Sequence, residues 1–402
     1  MTIFGDWLSR QMKKFFLIFL PAILAVACAP EGENDFPTPK EMADTVSTGG
    51  YAPVEGEEEV DYDLSVLDSP LSKDMVLTSG TWLQNRSVMQ CFALKGNSYM
   101  YADQVAASGT TRRLNVTYKP IASNSGKTLM QLEYFGHGSN LVLEECSDGD
   151  YLWIGSYGTQ TKVENGNEYY TNNQAVKFRA TGTTSPVSTE DCEDHFYIPG
   201  MRNIHPSIDW TNRQIAFWCV GAKDGYFYVY DLDEVLAVPQ TTVTLANKIT
   251  RGGDNEPFPK ETKSFDAIVH NLSSITPITV ITLPSTGVVG TGGNQGFELH
   301  AGRIYHYNGA GNSNDRVTPC TSIVTVFDFK GNVVARKQVM AVYDMDALEE
   351  CGITDSGFME SEGIKIYDGT LYIGYATKKL ETDGKASLRY VTILKYPLKK
   401  VE

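Results

Sequence analysis

Five polar residues stand at matching places in a repeated pattern: Gln90, His137, His205, Gln295 and Glu362. Amide, imidazole and carboxyl groups both donate and accept hydrogen bonds, so together they suit a hydroxyl-rich ligand. Tyr134, Trp153, Trp210 and Tyr307 are close by in sequence and offer rings for stacking on sugar faces. The competing expectation is structural: polar side chains at such places often only satisfy the buried backbone of a neighbouring segment.

Catalysis asks for more. Hydrolysis of a glycosidic bond needs two carboxylates at a set separation. Glu362 with Glu360 or Asp209 could supply them, yet two of the equivalent places hold glutamine, which transfers no proton. No catalytic residue is assigned, and a glycoside-active enzyme stands as the alternative. His137, His205 and Glu362 carry metal-ligating atoms, but their spacing specifies no site. Asp148–Asp150 and Asn312–Asp315 read as turns and lack a calcium-loop spacing. The glycine-rich run Gly287–Gly296 precedes a strand and opens no helix, so it is not a nucleotide cradle. No cofactor and no metal are expected.

These residues sit on a repeating hairpin. Its clearest copy is Glu360–Tyr375: a polar anchor, a strand with apolar Ile364 and Ile366, an Asp368-Gly369 turn, and an aromatic strand. Asp-Gly suits a tight turn in which both residues have positive φ. Gln295–Tyr307 and Gln90–Tyr101 repeat the unit, and looser copies start at Gly136 and His205. Five such units predict an all-β chain folded as a five-bladed β-propeller, because a blade cannot bury both faces alone and must stack on its neighbours. A β-sandwich is the rival, but it gives no reason for a repeated anchor. Uneven spacing predicts inserted loops at Gly158–Ile198 and Ala237–Ser285. The only helical turn expected is Asp344–Glu350, closed by Gly352. In a propeller the innermost strands line a channel, so the five anchors should converge at one mouth, the usual place for a ligand.

The beginning of the chain has another character. Arg10, Lys13 and Lys14 precede the apolar run Phe15–Ala27, which is short for a membrane span and fits a secretory signal. Leu24-Ala-Val-Ala-Cys28 is similar to a bacterial lipobox, making Cys28 the lipidated residue. The expected organisation is a signal peptide over residues 1–27, lipidated Cys28 and an acidic, flexible tether over 28–70, and the propeller over 71–402. Glu31, Glu33 and Asp35 resemble the surface-export signal of Bacteroidetes lipoproteins, which implies an outer-membrane, surface-exposed protein of the cell envelope. The formal net charge of −15 argues against nucleic acid, whose binding requires clustered Lys and Arg. Export makes disulfides possible among Cys91, Cys146, Cys192, Cys219, Cys320 and Cys351, but neither pairing nor oligomeric state can be read.

The ordered set Phe-Gly-His-Gly, Tyr-Leu-Trp-Ile-Gly, Gln-Gly-Phe and Glu-Ser-Glu-Gly-Ile-Lys-Ile-Tyr, spread over residues 82–400, resembles the helveticin J family. That resemblance implies a five-bladed propeller and a role at cell envelopes. The family includes a secreted bacteriocin, and the lipobox and tether depart from that form. The resemblance supplies no catalytic motif. The expected activity is therefore binding of an extracellular glycan or a cell-surface protein at the channel mouth, with a protein-interaction scaffold as a further alternative.

Overall fold

The computed structural model describes residues 47–48, 58–82, 88–104, 113–123, 126–162, 168–182, 185–245, 265–283, 293–312, 319–380 and 386–401. They belong to one compact unit, Thr38–Glu402, and a separate unit, Met1–Pro37, lies outside the described residues together with the expected signal and Cys28.

Among the described residues five mainly antiparallel sheets stand around an axis, and each begins with an inner strand followed by a hairpin. The inner strands are Met89–Lys95, Leu141–Cys146, Arg202–Asp209, Asn294–His300 and Met359–Tyr367, in blades 1 to 5. All five anchored hairpins of the sequence become inner edges of blades. Asp368 and Gly369 both have positive φ, as the Asp-Gly turn requires.

Alternation within each strand explains the stacking. In blade 1, Phe92, Leu94, Tyr99 and Tyr101 face blade 5, whereas Cys91, Ala93, Met100 and Ala102 face blade 2. A buried apolar cluster of this kind fills each of the five inter-blade spaces. Both faces of the blades therefore meet a neighbouring blade, so apolar side chains are buried on both sides of a strand.

The ring is closed by exchange. Blade 5 takes three strands from Met359–Pro397 and its outermost strand, Val76–Trp82, from the opposite extremity of the domain. Two expected insertions turn out to be structural. Gly149–Lys162, Glu168–Arg179 and Asp194–Tyr197 complete blade 2, so Gly158–Ile198 is not a loop. Within Ala237–Ser285, Gln240–Leu245 and Phe265–Asn271 return to extend blade 2, and Thr279–Leu283 completes blade 3. The second depends on pairing between strands far apart in the chain, which a local pattern does not reveal.

Asp344 caps the expected helix Met345–Glu350, and a second helix, Leu232–Ala237, is capped by Asp231. Residues assigned to the tether also enter the fold. Leu64 and Leu67 are buried in the cluster between blades 4 and 5, and Glu58–Asp63 runs along the hairpin turns. No described helix is long and apolar enough to cross a membrane.

Candidate functional site

The channel has two distinct ends. At one, four of the five inner strands start with irregular pairing: register shifts occur at Met89/Cys91, Arg202/His205, Asn294/Phe297 and Ser361/Ile364. The other end carries the hairpin turns. The sequence anchors lie at the bulged end. Gly296 and Gly363 follow two of them with φ of 122° and 118°, and a Cβ on Gly363 would meet the Cys91 backbone at 3.4 Å. The contact is of ordinary length, so it is the positive φ angle that calls for glycine at both places.

Gln90 and Glu362 are brought together, the amide Nε2 donating to Oε1 at 3.5 Å. Glu362 is buried, and burial pushes its carboxyl well above the usual range; nearby Glu360 adds to this and Arg389 offsets part of it. Like Gln90, Glu362 is a buried hydrogen-bonding group at its anchor position. His205 is buried as well. Loss of solvation lowers its pKa to about 3, with His137 contributing in the same direction. His137 itself is exposed and lies 3.1 Å from the Gln104 amide. Gln295 donates to the Gly309 carbonyl of its own blade at 3.2 Å. The bulged end therefore gathers Gln90 with Glu362 and sets His137 within electrostatic reach of His205, while the Gln295 amide engages its own blade.

The turn end holds a cavity of about 590 Å³, lined by the later residues of all five inner strands. Its floor is a network that crosses the channel. Lys365 donates to Glu298 at 2.8 Å and to Asn140 at 3.3 Å. Ser207 donates to Glu298 at 3.0 Å, and the Asn140 amide reaches the carbonyls of Pro206 and Phe297. One wall carries Glu144, which accepts from Trp153 at 2.8 Å and pairs with Lys177. Asp209 accepts from the backbone N–H groups of Thr211, Asn212 and Ala301, tying the turns of blades 3 and 4 together. At the rim, Trp210 and Tyr367 keep 39% and 37% of their surface exposed. Beside it, the Val60 N–H donates to the Ala301 carbonyl and Tyr62 meets His300 at 3.3 Å.

Of the rings expected to stack on sugars, Trp153 and Tyr307 are fully buried and Tyr134 nearly so. Propeller faces need aromatics as much as ligands do, and these three serve packing. Trp210 is exposed, but at the turn end. Lys365 and Glu298 escaped sequence reasoning, although a signal existed. Each lies three residues after its anchor, so opposite charges occupy one repeat position inside apolar strands.

The described cysteines are all free thiols. Among the described residues, no group of three or more His, Cys, Asp or Glu side chains is arranged to hold a metal ion. Ser313–Asp315 and most of the glycine-rich run lie outside the described residues.

Fold and site together define a five-bladed β-propeller with a polar, aromatic-rimmed cavity at one end of its channel. Its sequence is 23% identical over 291 residues to a Bacillus subtilis (strain 168) protein named for teichoic acid biosynthesis, major teichoic acid biosynthesis protein C. The match covers 70% of this chain and 53% of the other, so the chain spans about half the length of the curated relative it matches. No family model matches. Among solved structures, a tail fibre of a Staphylococcus aureus phage is similar at 12% identity and a TM-score of 0.44, over 83% of this chain and 55% of that one. An α-L-arabinofuranosidase from Lactobacillus brevis is similar at 8% identity and a TM-score of 0.35, over 79% and 94% respectively.

Proposed function

We propose that this propeller binds a hydroxyl-rich extracellular glycan, and that the turn-end cavity receives it. The observation that carries this reading is the pairing of exposed Trp210 and Tyr367 with a floor that holds Lys365 and Glu298 in a fixed ion pair. Exposed rings supply stacking area at little entropic cost, and a pre-ordered polar floor fixes hydroxyl orientation. The name of the Bacillus subtilis relative, with its teichoic acid biosynthesis, points in the same direction. The motif resemblance to the helveticin J family agrees with a role at a cell envelope. The lipobox-like stretch ending at Cys28 and the acidic segment after it support a lipid-anchored protein on the outer surface of a bacterial envelope.

A glycan array probed with the wild type, Trp210→Ala and Glu362→Ala tests the reading. Binding should fall about tenfold in Trp210→Ala, equivalent to about 1.4 kcal/mol, and persist in Glu362→Ala. Loss in Glu362→Ala alone moves the site to the bulged end. No binding to any glycan overturns the proposal. For the anchor, the mass of Cys28 peptides from membranes and labelling of intact cells with an impermeant reagent give the check. An unmodified Cys28, or a protein shielded from the reagent, refutes it.

A second reading has one specific support. Glu362, a carboxyl whose pKa is raised by burial, lies two residues from Glu360, which pairs with Arg389 at 3.1 Å. An acid beside an ionised carboxylate is the combination used in glycoside cleavage. Release of reducing ends by the wild type, abolished in Glu362→Gln, would establish it.

A further inference from the structure

On the bulged end of blade 5, two cations are placed where a sheet ordinarily avoids them. Lys378 and Arg389 are direct register partners on adjacent strands. Like charges directly opposite one another destabilise a sheet. Both side chains crowd one ring: the Lys378 ammonium is 3.9 Å from the Phe358 centroid, and the Arg389 guanidinium carbon is 5.2 Å from it. Neither residue is fully exposed, so water screens the repulsion only in part.

The local acids do not balance the pair. Glu360 bonds Arg389, and among the described residues no carboxylate reaches ion-pair distance of Lys378. Glu362, the other nearby carboxyl, is buried, and burial raises its pKa well above the usual range. Burial also lowers the pKa of Lys378, with Arg389 acting in the same direction. Among the described residues, the two cations thus share one paired carboxylate, Glu360, in a chain of formal net charge −15.

We propose that Lys378 and Arg389 form a binding site for a phosphate group, presented as a phosphomonoester or phosphodiester. A guanidinium presents parallel N–H donors that match two phosphate oxygens, while an ammonium serves as a compact point charge for a third. An anion lying between the two cations converts their repulsion into shared attraction. The aliphatic stems stay packed on Phe358, which holds both heads in place before the ligand arrives. This site is separate from the turn-end cavity, and it stands independently of the glycan reading.

Isothermal titration at low salt, with the full chain, provides the test. The probes are inorganic phosphate, glycerol 3-phosphate and a poly(glycerol phosphate), with acetate and a neutral sugar as controls. The wild type should bind the phosphate probes, more weakly as salt rises, and should melt at a higher temperature in their presence. Lys378→Gln and Arg389→Gln should each weaken binding at least tenfold. Lys378→Arg should retain it, which shows that charge at that position, and not a loss of fold, is responsible. Trp210→Ala should leave phosphate binding unchanged. Binding to the free anion as tight as to the esters assigns the site to inorganic phosphate, whereas tighter binding of the polymer assigns it to a phosphodiester chain. Absence of phosphate binding, or binding unweakened in both glutamine variants, overturns the site. Loss of glycan binding in Trp210→Ala tests the cavity alone, so the two proposals fail separately.

Discussion

Replacing Lys365 by Met probes how the ring is held at its centre. Lys365 and Glu298 are 2.8 Å apart with only 8% and 11% of their side chains exposed. At that separation and an effective dielectric of about 20, the direct attraction is about 6 kcal/mol, most of which offsets the cost of removing both charges from water. The methionine keeps most of the volume but leaves the Glu298 carboxylate buried without its cation. Removing one partner of a buried pair typically costs about 3–5 kcal/mol. Because Glu298 retains the Ser207 hydroxyl at 3.0 Å, we expect the lower end, about 3 kcal/mol. Urea unfolding monitored by tryptophan fluorescence should show a lower midpoint at unchanged slope. Combining Lys365→Met with Glu298→Met should recover much of the loss, giving a coupling of about 2–3 kcal/mol in a double-mutant cycle. A single variant within about 1 kcal/mol of wild type, or purely additive losses, would refute the view that this network ties blades 2 to 5 across the channel.

Further outcomes follow from the bulged end. Glu362→Gln should stabilise the protein, and the gain should widen between pH 5 and pH 8 as measured by thermal melting. The raised carboxyl of Glu362 contributes fully below its unfolded value and loses that contribution as pH rises; a gap that narrows with pH contradicts this. His205 and His306, each lowered to about 3 by burial, contribute in full above their unfolded value near 6.5 and lose that contribution as pH falls toward 3. The acid limb should therefore steepen by about 1.4 kcal/mol per pH unit for each histidine, and His205→Gln should flatten it by one proton; parallel limbs would remove the claim. Gly363→Ala places a side chain on a backbone with φ 118° and should cost about 1–3 kcal/mol in chemical denaturation. A neutral result there would mean that the bulge relaxes freely.

The hairpins were legible because a turn such as Asp368-Gly369 states its geometry locally, and repetition then identifies the architecture. The channel floor was not. In a single strand, Lys365 between Ile364 and Ile366 reads as a solvent-facing charge, and only closure of the ring brings Glu298 to it. Trp153 and Tyr307 misled for a related reason, since proximity to an anchor in sequence does not say which face of a blade a ring occupies. The backward return of Gln240–Leu245 and Phe265–Asn271 to blade 2 leaves no mark in a local pattern. Glu362 is the converse case: its chemical type departs from the glutamines at equivalent positions, yet it is buried against one of them, Gln90.

Closure of blade 5 by Val76–Trp82 also sets a clock on the molecule. This strand is synthesised before every blade, yet its partners Tyr390–Leu394 are synthesised after nearly all of them. Until they arrive, its hydrogen-bonding groups have no place in the sheet, and the ring stays open between blades 5 and 1. Pairing across so much chain carries a large loop-closure cost and favours late, cooperative locking. A chain arrested before Ala386 would keep both an unmatched strand and an uncovered blade face, leaving unfinished copies distinguishable from finished ones by exposed apolar surface alone.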